Sequence, residues 1–140
     1  MSAAGTTATH SGTTGPGTPT APDSTAVTRA ALPLAGVDLA ERIAHGAWEV
    51  LREGVEIQTL YRAAGQPTAA LLRYAPGATV PAHRHAGAEF ILMLAGSQRD
   101  AAGVTRAGRF QVNPPGSTHD LVSDEGCVLF IVWAAPVEFL

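Results

Sequence analysis

Four side chains of this sequence have types and spacings that point to chemistry. His83, His85 and Glu89 follow one another as H-x-H-x3-E, and His119 comes from a later segment. Three imidazoles and one carboxylate make a complete ligand set for a divalent transition metal. Iron, zinc, manganese and nickel all accept such a set, so the residue types point to one divalent ion without choosing it. On a five- or six-coordinate ion the set leaves about one or two positions open, as a catalytic site requires. No separate nucleophile or acid–base pair stands out, which leaves the chemistry to the metal. Glu89 is then the candidate catalytic residue, a ligand able to detach and act as a base.

The elements that must position these residues read as strands. His83 and His85 are two apart, so on a strand both rings point to one side, roughly 6–7 Å apart at Cα, while Arg84 points the other way. Ala86-Gly87-Ala88 is a turn-length spacer, after which Glu89 opens the next strand and can face back. His119 has to arrive by closure of the sheet. Pro114-Pro115-Gly116 would fix the turn that aims it, through restricted φ at proline and a positive φ at glycine.

The rest of the chain carries the same signature. From Trp48 the pattern has period two, with Val55, Ile57, Thr59 and Tyr61 on one face and Glu56, Gln58, Leu60 and Arg62 on the other. Strands are expected near Trp48–Leu51, at Val55–Arg62, Thr68–Tyr74, Thr79–His85, Glu89–Ala95, Gln98–Asp100, Val104–Ala107, Arg109–Val112, His119–Ser123 and Cys127–Ala134. Short strands punctuated by Gly and Pro indicate an all-β sandwich or barrel. Ile91–Leu94 and Val128–Trp133 are apolar without alternation. Strands of that kind need a second layer outside the barrel, either the one short helix expected at Val37–Gly46 or a second subunit. A homodimer is the expectation. That helix has Asp38 to cap it, Glu41 to complete a capping box and Gly46 to stop it. His45 suits the helix end electrostatically.

Composition narrows the function classes. The chain has 140 residues, a formal net charge of −3 and nine basic residues, all Arg and none in a run. Nothing resembles a nucleic-acid footprint or a polybasic membrane patch. No apolar run approaches the ~20 residues of a spanning helix, and no basic-then-apolar leader opens the chain. Cys127 is alone, so no intrachain disulfide forms, and its apolar strand marks it as a buried inert thiol. A cytoplasmic location fits. Residues 1–28 are mostly Thr, Ala, Gly, Ser and Pro, with His10 and Asp23 the only ionisable side chains. Such a segment has too few large apolar groups to offset the entropy of ordering. Residues 1–36 are therefore read as a disordered tail and 37–140 as one domain. Gln58, Tyr61, Arg73, Arg109 and Gln111 are candidate pocket groups or supports for the ligands.

Two stretches carry a family resemblance. Gly77-x5-His83-x-His85-x3-Glu89-x6-Gly96 and Gly108-x5-Pro114-x-Gly116-x2-His119 resemble the paired motifs of the cupin superfamily. Ser123 stands where the second motif often ends in Asn. The resemblance implies a small antiparallel β-barrel, a jelly-roll-like double-stranded β-helix, with His83, His85, Glu89 and His119 holding a metal inside it. More narrowly, PGATVPAHRHAGAEFILMLAGSQRD and AGRFQVNPPGSTHDLVSDEGCVLFIVW are similar to the cupin half of ChrR-like anti-sigma factors. Those usually carry a second Glu after the ligand Glu, where this chain has Phe90. They also carry a helical amino-terminal module with a His/Cys zinc site. Residues 1–45 hold no Cys and one short helix, so fold and metal site carry over and sigma-factor binding does not.

Three functions follow as expectations. The first is a metal-dependent, oxygenase-type enzyme acting on a small organic ligand in a cavity lined by Ile91, Met93, Leu129 and Ile131. The second is a non-catalytic sensory or regulatory metal-binding module. The third is a structural metal site in a binding protein, which would require a closed coordination shell.

Overall fold

The computed structural model describes residues 36–140. The expected tail, His10 and the boundary at 36/37 lie outside or at the limit of that range. One helix, α1 (Leu39–His45), precedes ten strands: β1 (Glu49–Arg52), β2 (Val55–Tyr61), β3 (Thr68–Tyr74), β4 (Ala78–His85), β5 (Glu89–Asp100), β6 (Gly103–Arg106), β7 (Phe110–Asn113), β8 (Thr118–Ser123), β9 (Cys127–Trp133) and β10 (Val137–Phe139). All strand pairs are antiparallel, in the order β1-β2-β3-β9-β5-β8-β4-β10, with β6 and β7 attached to β5. The fold is the expected antiparallel β-barrel architecture, with one short helix among the described residues.

Strand β5 belongs to two sheets. Its first half pairs with β9 and β7, and its second half with β6 and β8. The sequence pattern predicts two strands divided by a turn at Gly96. The chain instead runs through as one strand, bent by a register shift between Met93 and Ala95 and by Gly96 at φ +70°. A β-carbon on Gly96 would lie 2.0 Å from the Gly126 carbonyl oxygen, so only glycine lets β5 cross here.

The core fills the space between the sheets. Val55, Ile57, Leu72, Tyr74, Ile91, Met93, Leu129 and Ile131 form its buried cluster, with Cys127 among them as expected. Alternation along β2 sends Val55 and Ile57 inward. Gln58 points the other way, and its Nε2 donates to the Arg42 carbonyl at 2.8 Å. It thus caps the end of α1 instead of reaching the cavity. Asp38 caps the start, accepting from the Glu41 N–H at 3.1 Å. Gly46 ends the helix at φ −71°, so close packing against Gln58 explains it better than a left-handed cap does.

Gln58 ties α1 to the outer face of β2, beside its buried register partner Leu71 on β3. The helix does not cover β5, β7 and β9. There Phe90 and Phe110 stack at 6.4 Å between ring centroids, and Phe110 is 64% exposed. The expected strand at Cys127–Ala134 ends at Trp133. A further strand, β10, follows the Ala134-Ala135-Pro136 break and pairs along β4.

Candidate metal centre

Strands β4 and β8 bring three histidines together. His83 sits directly across from His119 in their register, and His85 lies two residues further along β4 on the same face. The ring centroids are 5.0 Å apart for His83–His85, 4.7 Å for His83–His119 and 5.0 Å for His85–His119. One nitrogen from each ring lies within 4.8 Å of the other two. The turn before β8 works as the sequence suggests. Gly116 takes φ +85°, its N–H donates to the His85 carbonyl at 2.8 Å, and the Ser117 N–H returns to the Pro114 carbonyl at 3.1 Å.

The second nitrogen of each ring is already occupied. His83 Nδ1 lies 2.8 Å from the Pro81 carbonyl oxygen. His85 Nδ1 meets the Ser117 carbonyl at 3.1 Å and the Ser117 hydroxyl at 3.0 Å, while that hydroxyl donates to the Pro114 carbonyl. His119 Nδ1 meets Asp100 Oδ2 at 2.9 Å. Carbonyl and carboxylate oxygens only accept, so each Nδ1 carries the proton and each Nε2 presents a lone pair. His119 Nε2 is buried with no hydrogen-bond partner, and His85 Nε2, also buried without a hydrogen bond, has only Glu89 Oε2 near it at 3.2 Å. Buried polar atoms without partners are costly, and a metal ion supplies what these two lack. The donor set therefore fits a divalent transition ion.

Burial holds the His83 pKa below the usual imidazole range. Its neighbours His119 and His85 act in the same direction, against the opposing pull of the Pro81 carbonyl and Glu89. A neutral ring is the form that ligates. At Asp100, burial works against ionisation, but bonds from His119 and from the N–H groups of Ala102 and Gly103 prevail and keep the carboxyl below its ordinary range.

Glu89 comes from the other sheet and stands beside the histidine cluster. Its Oε2 is 3.2 Å from His85 Nε2, yet it is not one of the three residues whose ligand atoms are all mutually close. Its two cross-strand neighbours hold it. Asn113 on β7 donates to Oε2 at 2.6 Å, and Trp133 on β9 donates to Oε1 at 2.7 Å. Gln111 donates in turn to Asn113 at 2.8 Å and accepts from the Thr105 hydroxyl at 2.6 Å. A polar chain from β6 through β7 thus fixes the carboxylate.

The other pocket candidates lie elsewhere. Arg73 pairs with Glu56 at 2.7 Å and lies over the Trp48 ring at 4.3 Å. Arg109 is exposed and Tyr61 half-buried; neither lines the cavity. Phe90 points to the outer face, so a second acid at that position would not reach the histidines. Asn113, Trp133, Asp100 and Ser117 were not singled out from the sequence. Asn113 alone carried a hint, as the residue leading into the Pro114 turn.

A cavity of about 750 Å³ opens beside the cluster. Its walls are mainly apolar, and Ile91, Leu129 and Ile131 line it as expected. Met93 is packed in the core instead. His83 and Glu89 face into the cavity.

Comparison with known proteins agrees with this fold. The family model for the ChrR cupin-like domain matches residues 38–136. The anti-sigma-E factor ChrR of Cereibacter sphaeroides is 32% identical over 121 residues, which cover 85% of this chain and 56% of that protein. The chain therefore spans little more than half the length of this relative. The crystal structure of Rhodobacter sphaeroides SigE in complex with the anti-sigma ChrR matches at TM-score 0.56 and 30% identity, covering 61% of this chain and 47% of that one. An acetylacetone dioxygenase from Acinetobacter johnsonii matches at TM-score 0.62 and 16% identity, over 66% of this chain and 71% of that one, a likeness of fold. The family match starts at the cap of α1, ends just before β10 and takes in every histidine of the cluster, so the chain belongs to the ChrR cupin-like domain family.

Proposed function

We propose that this protein is a metal-dependent enzyme of the oxygenase type, acting on a small organic substrate held in the cavity. One observation carries the reading: three histidines with occupied Nδ1 atoms turn their Nε2 lone pairs toward a common point at the edge of an apolar cavity. His83, His85 and His119 would hold the ion, with Glu89 as fourth ligand and catalytic base. Bound iron would supply redox chemistry toward dioxygen, manganese or nickel related chemistry, and zinc Lewis acidity. The protein's own part is orientation and exclusion of water. Asn113 and Trp133 fix Glu89 so that Oε2 faces His85, where it can accept a proton. Ile91, Leu129 and Ile131 keep the substrate side dry.

Elemental analysis of protein purified without added metal, followed by an oxygen-uptake screen, tests this reading. Near-stoichiometric iron or manganese with oxygen consumption supports it. Absence of metal, or tightly held zinc with no vacancy for a ligand, removes it.

A second reading rests on the 32% identity to an anti-sigma factor: a non-catalytic sensory or regulatory metal module acting through a partner protein. Metal-dependent capture of a sigma factor by the full chain, without turnover, would favour it. We place the protein in the cytoplasm, in keeping with the lone buried Cys127. Among the described residues no helix is long and apolar enough to cross a membrane. We also propose a homodimer, formed by the face that α1 leaves uncovered. Like apolar faces on two copies are self-complementary about a two-fold axis.

A further inference from the structure

Two buried hydrogen-bond donors in the cavity serve no partner of the protein. Gln98, on β5 after the Gly96 bend, is 7% exposed, and its Nε2 is buried with nothing accepting from it. Arg52, at the end of β1, likewise buries Nη1 without a partner. Both residues line the cavity that His83 and Glu89 face. Most buried donors in folded proteins are paired, so two orphans lining one cavity mark it as a place where a ligand supplies the acceptor.

Their surroundings bring them to one region. The Gln98 amide lies close enough to the Tyr74 phenol and the Cys127 thiol to favour their charged forms, and Arg52 acts on Tyr74 in the same direction, although burial outweighs all of this and raises both groups. Tyr74 therefore stays a neutral phenol between them. Arg52 also joins the two ends of the strand order. Its guanidinium carbon lies 4.9 Å from the centroid of the Phe139 ring on β10, and Phe139 pairs in register with His83, ring to ring at 5.9 Å. The Arg52 charge thus lies at the cavity wall, one ring away from the histidine cluster, and Arg62 lines the same cavity. The remaining walls are mainly apolar, with Arg62, Gln66, Thr68 and Glu89 among the polar residues that line them.

We propose that the cavity selects a small apolar molecule bearing a carboxylate, with the carboxylate oxygens accepting from Arg52 Nη1 and Gln98 Nε2. A guanidinium is always charged and prefers an anionic acceptor in forked geometry, and the amide adds a neutral donor. The apolar body then fills the space along Ile91, Leu129 and Ile131. This assignment rests on the cavity being the ligand site of the proposed function and names the chemical class it takes.

Isothermal titration calorimetry of the full chain, as purified, with benzoate and its neutral isostere benzamide tests it. The parent binds benzoate at least about tenfold more tightly than benzamide. Arg52→Met loses that preference, Arg52→Lys recovers part of it, and Gln98→Leu weakens benzoate about tenfold. Thermal melting of each variant confirms that it is folded. Equal affinity for the two probes, no binding of either, or benzoate affinity unchanged in folded Arg52→Met overturns the assignment. Metal content is measured on the same samples. A metal-free chain that still prefers benzoate through Arg52 sinks the catalytic reading alone, and a metal-loaded chain without that preference sinks this one alone.

Discussion

The two sheets of the barrel contribute to the site in different ways. The sheet holding β4 and β8 supplies all three histidines from two adjacent strands, and the register that sets His83 against His119 is fixed by backbone hydrogen bonds. The sheet holding β5, β7 and β9 supplies one carboxylate and its two donors, Asn113 and Trp133. The first arrangement is local to one strand pair. The second depends on how β5 crosses between the sheets at Gly96. The imidazole cluster should therefore be the rigid half of the site, and the carboxylate the half whose approach to the metal is adjustable.

The largest test removes a member of the rigid half. His119→Ala takes away one lone pair and leaves Asp100 facing a void. Metal affinity should fall by more than about a hundredfold in a chelator competition, since even supports behind ligands cost tenfold or more. The melting curve should still show a folded barrel, because His119 is a half-buried strand residue outside the core cluster. Parent-like affinity in this variant would mean that the three imidazoles do not act together.

Glu89→Gln probes the other sheet. We expect a loss of about 10- to 100-fold in metal affinity, smaller than for His119→Ala. A second effect is separable. Both oxygens of Glu89 accept, and an amide can offer an oxygen to only one of Asn113 and Trp133. The other buried donor is orphaned, at a cost of about 1–3 kcal/mol in unfolding free energy by denaturant titration. A loss of metal equal to that of His119→Ala would put the carboxylate on the same footing as the histidines and erase the contrast between the sheets.

Asp100 offers a finer cut, because it sits on the far end of β5 yet serves a histidine of β8. Asp100→Ala frees the His119 ring to rotate and change tautomer. Metal affinity should drop about tenfold, and Asp100→Asn, which keeps an accepting oxygen, should restore most of it. If alanine has no effect in the same chelator assay, strand register alone orients His119.

These residues also mark how far the sequence could be read. His83, His85 and Glu89 fall on consecutive strands joined by a short turn, so spacing and period two place them. His119 was legible because proline and glycine restrict the turn before it. Asp100 was not, since its role requires β5 and β8 to be adjacent and no local pattern encodes that. Gly96 looked like a turn because a positive φ usually ends a strand. Here the same conformation lets a strand bend past Gly126. Strand β10 is three residues long behind a proline, too short for periodicity to register. Gln58 was read as a pocket group although its alternation already set it opposite Val55 and Ile57, and the helix that claims it lies outside the barrel.

The smallest expected effect on metal binding comes from the outer face of the adjustable sheet. Phe110 and Phe90 stack there, with Val112 exposed beside them, and α1 does not reach them. Polar rims with apolar centres mark association surfaces. Phe110→Glu places a charge opposite its own image in a two-fold dimer, where like charges repel and cannot hydrate freely. Sedimentation velocity should show the parent as a dimer and Phe110→Glu as a monomer, with metal affinity changed by less than about twofold, because the side chain points away from Glu89 and the histidines. A monomeric parent would remove the dimer. A Phe110→Glu protein that loses both partner and metal would show instead that pairing of this sheet sets the position of Glu89, tying the adjustable half of the site to the assembly.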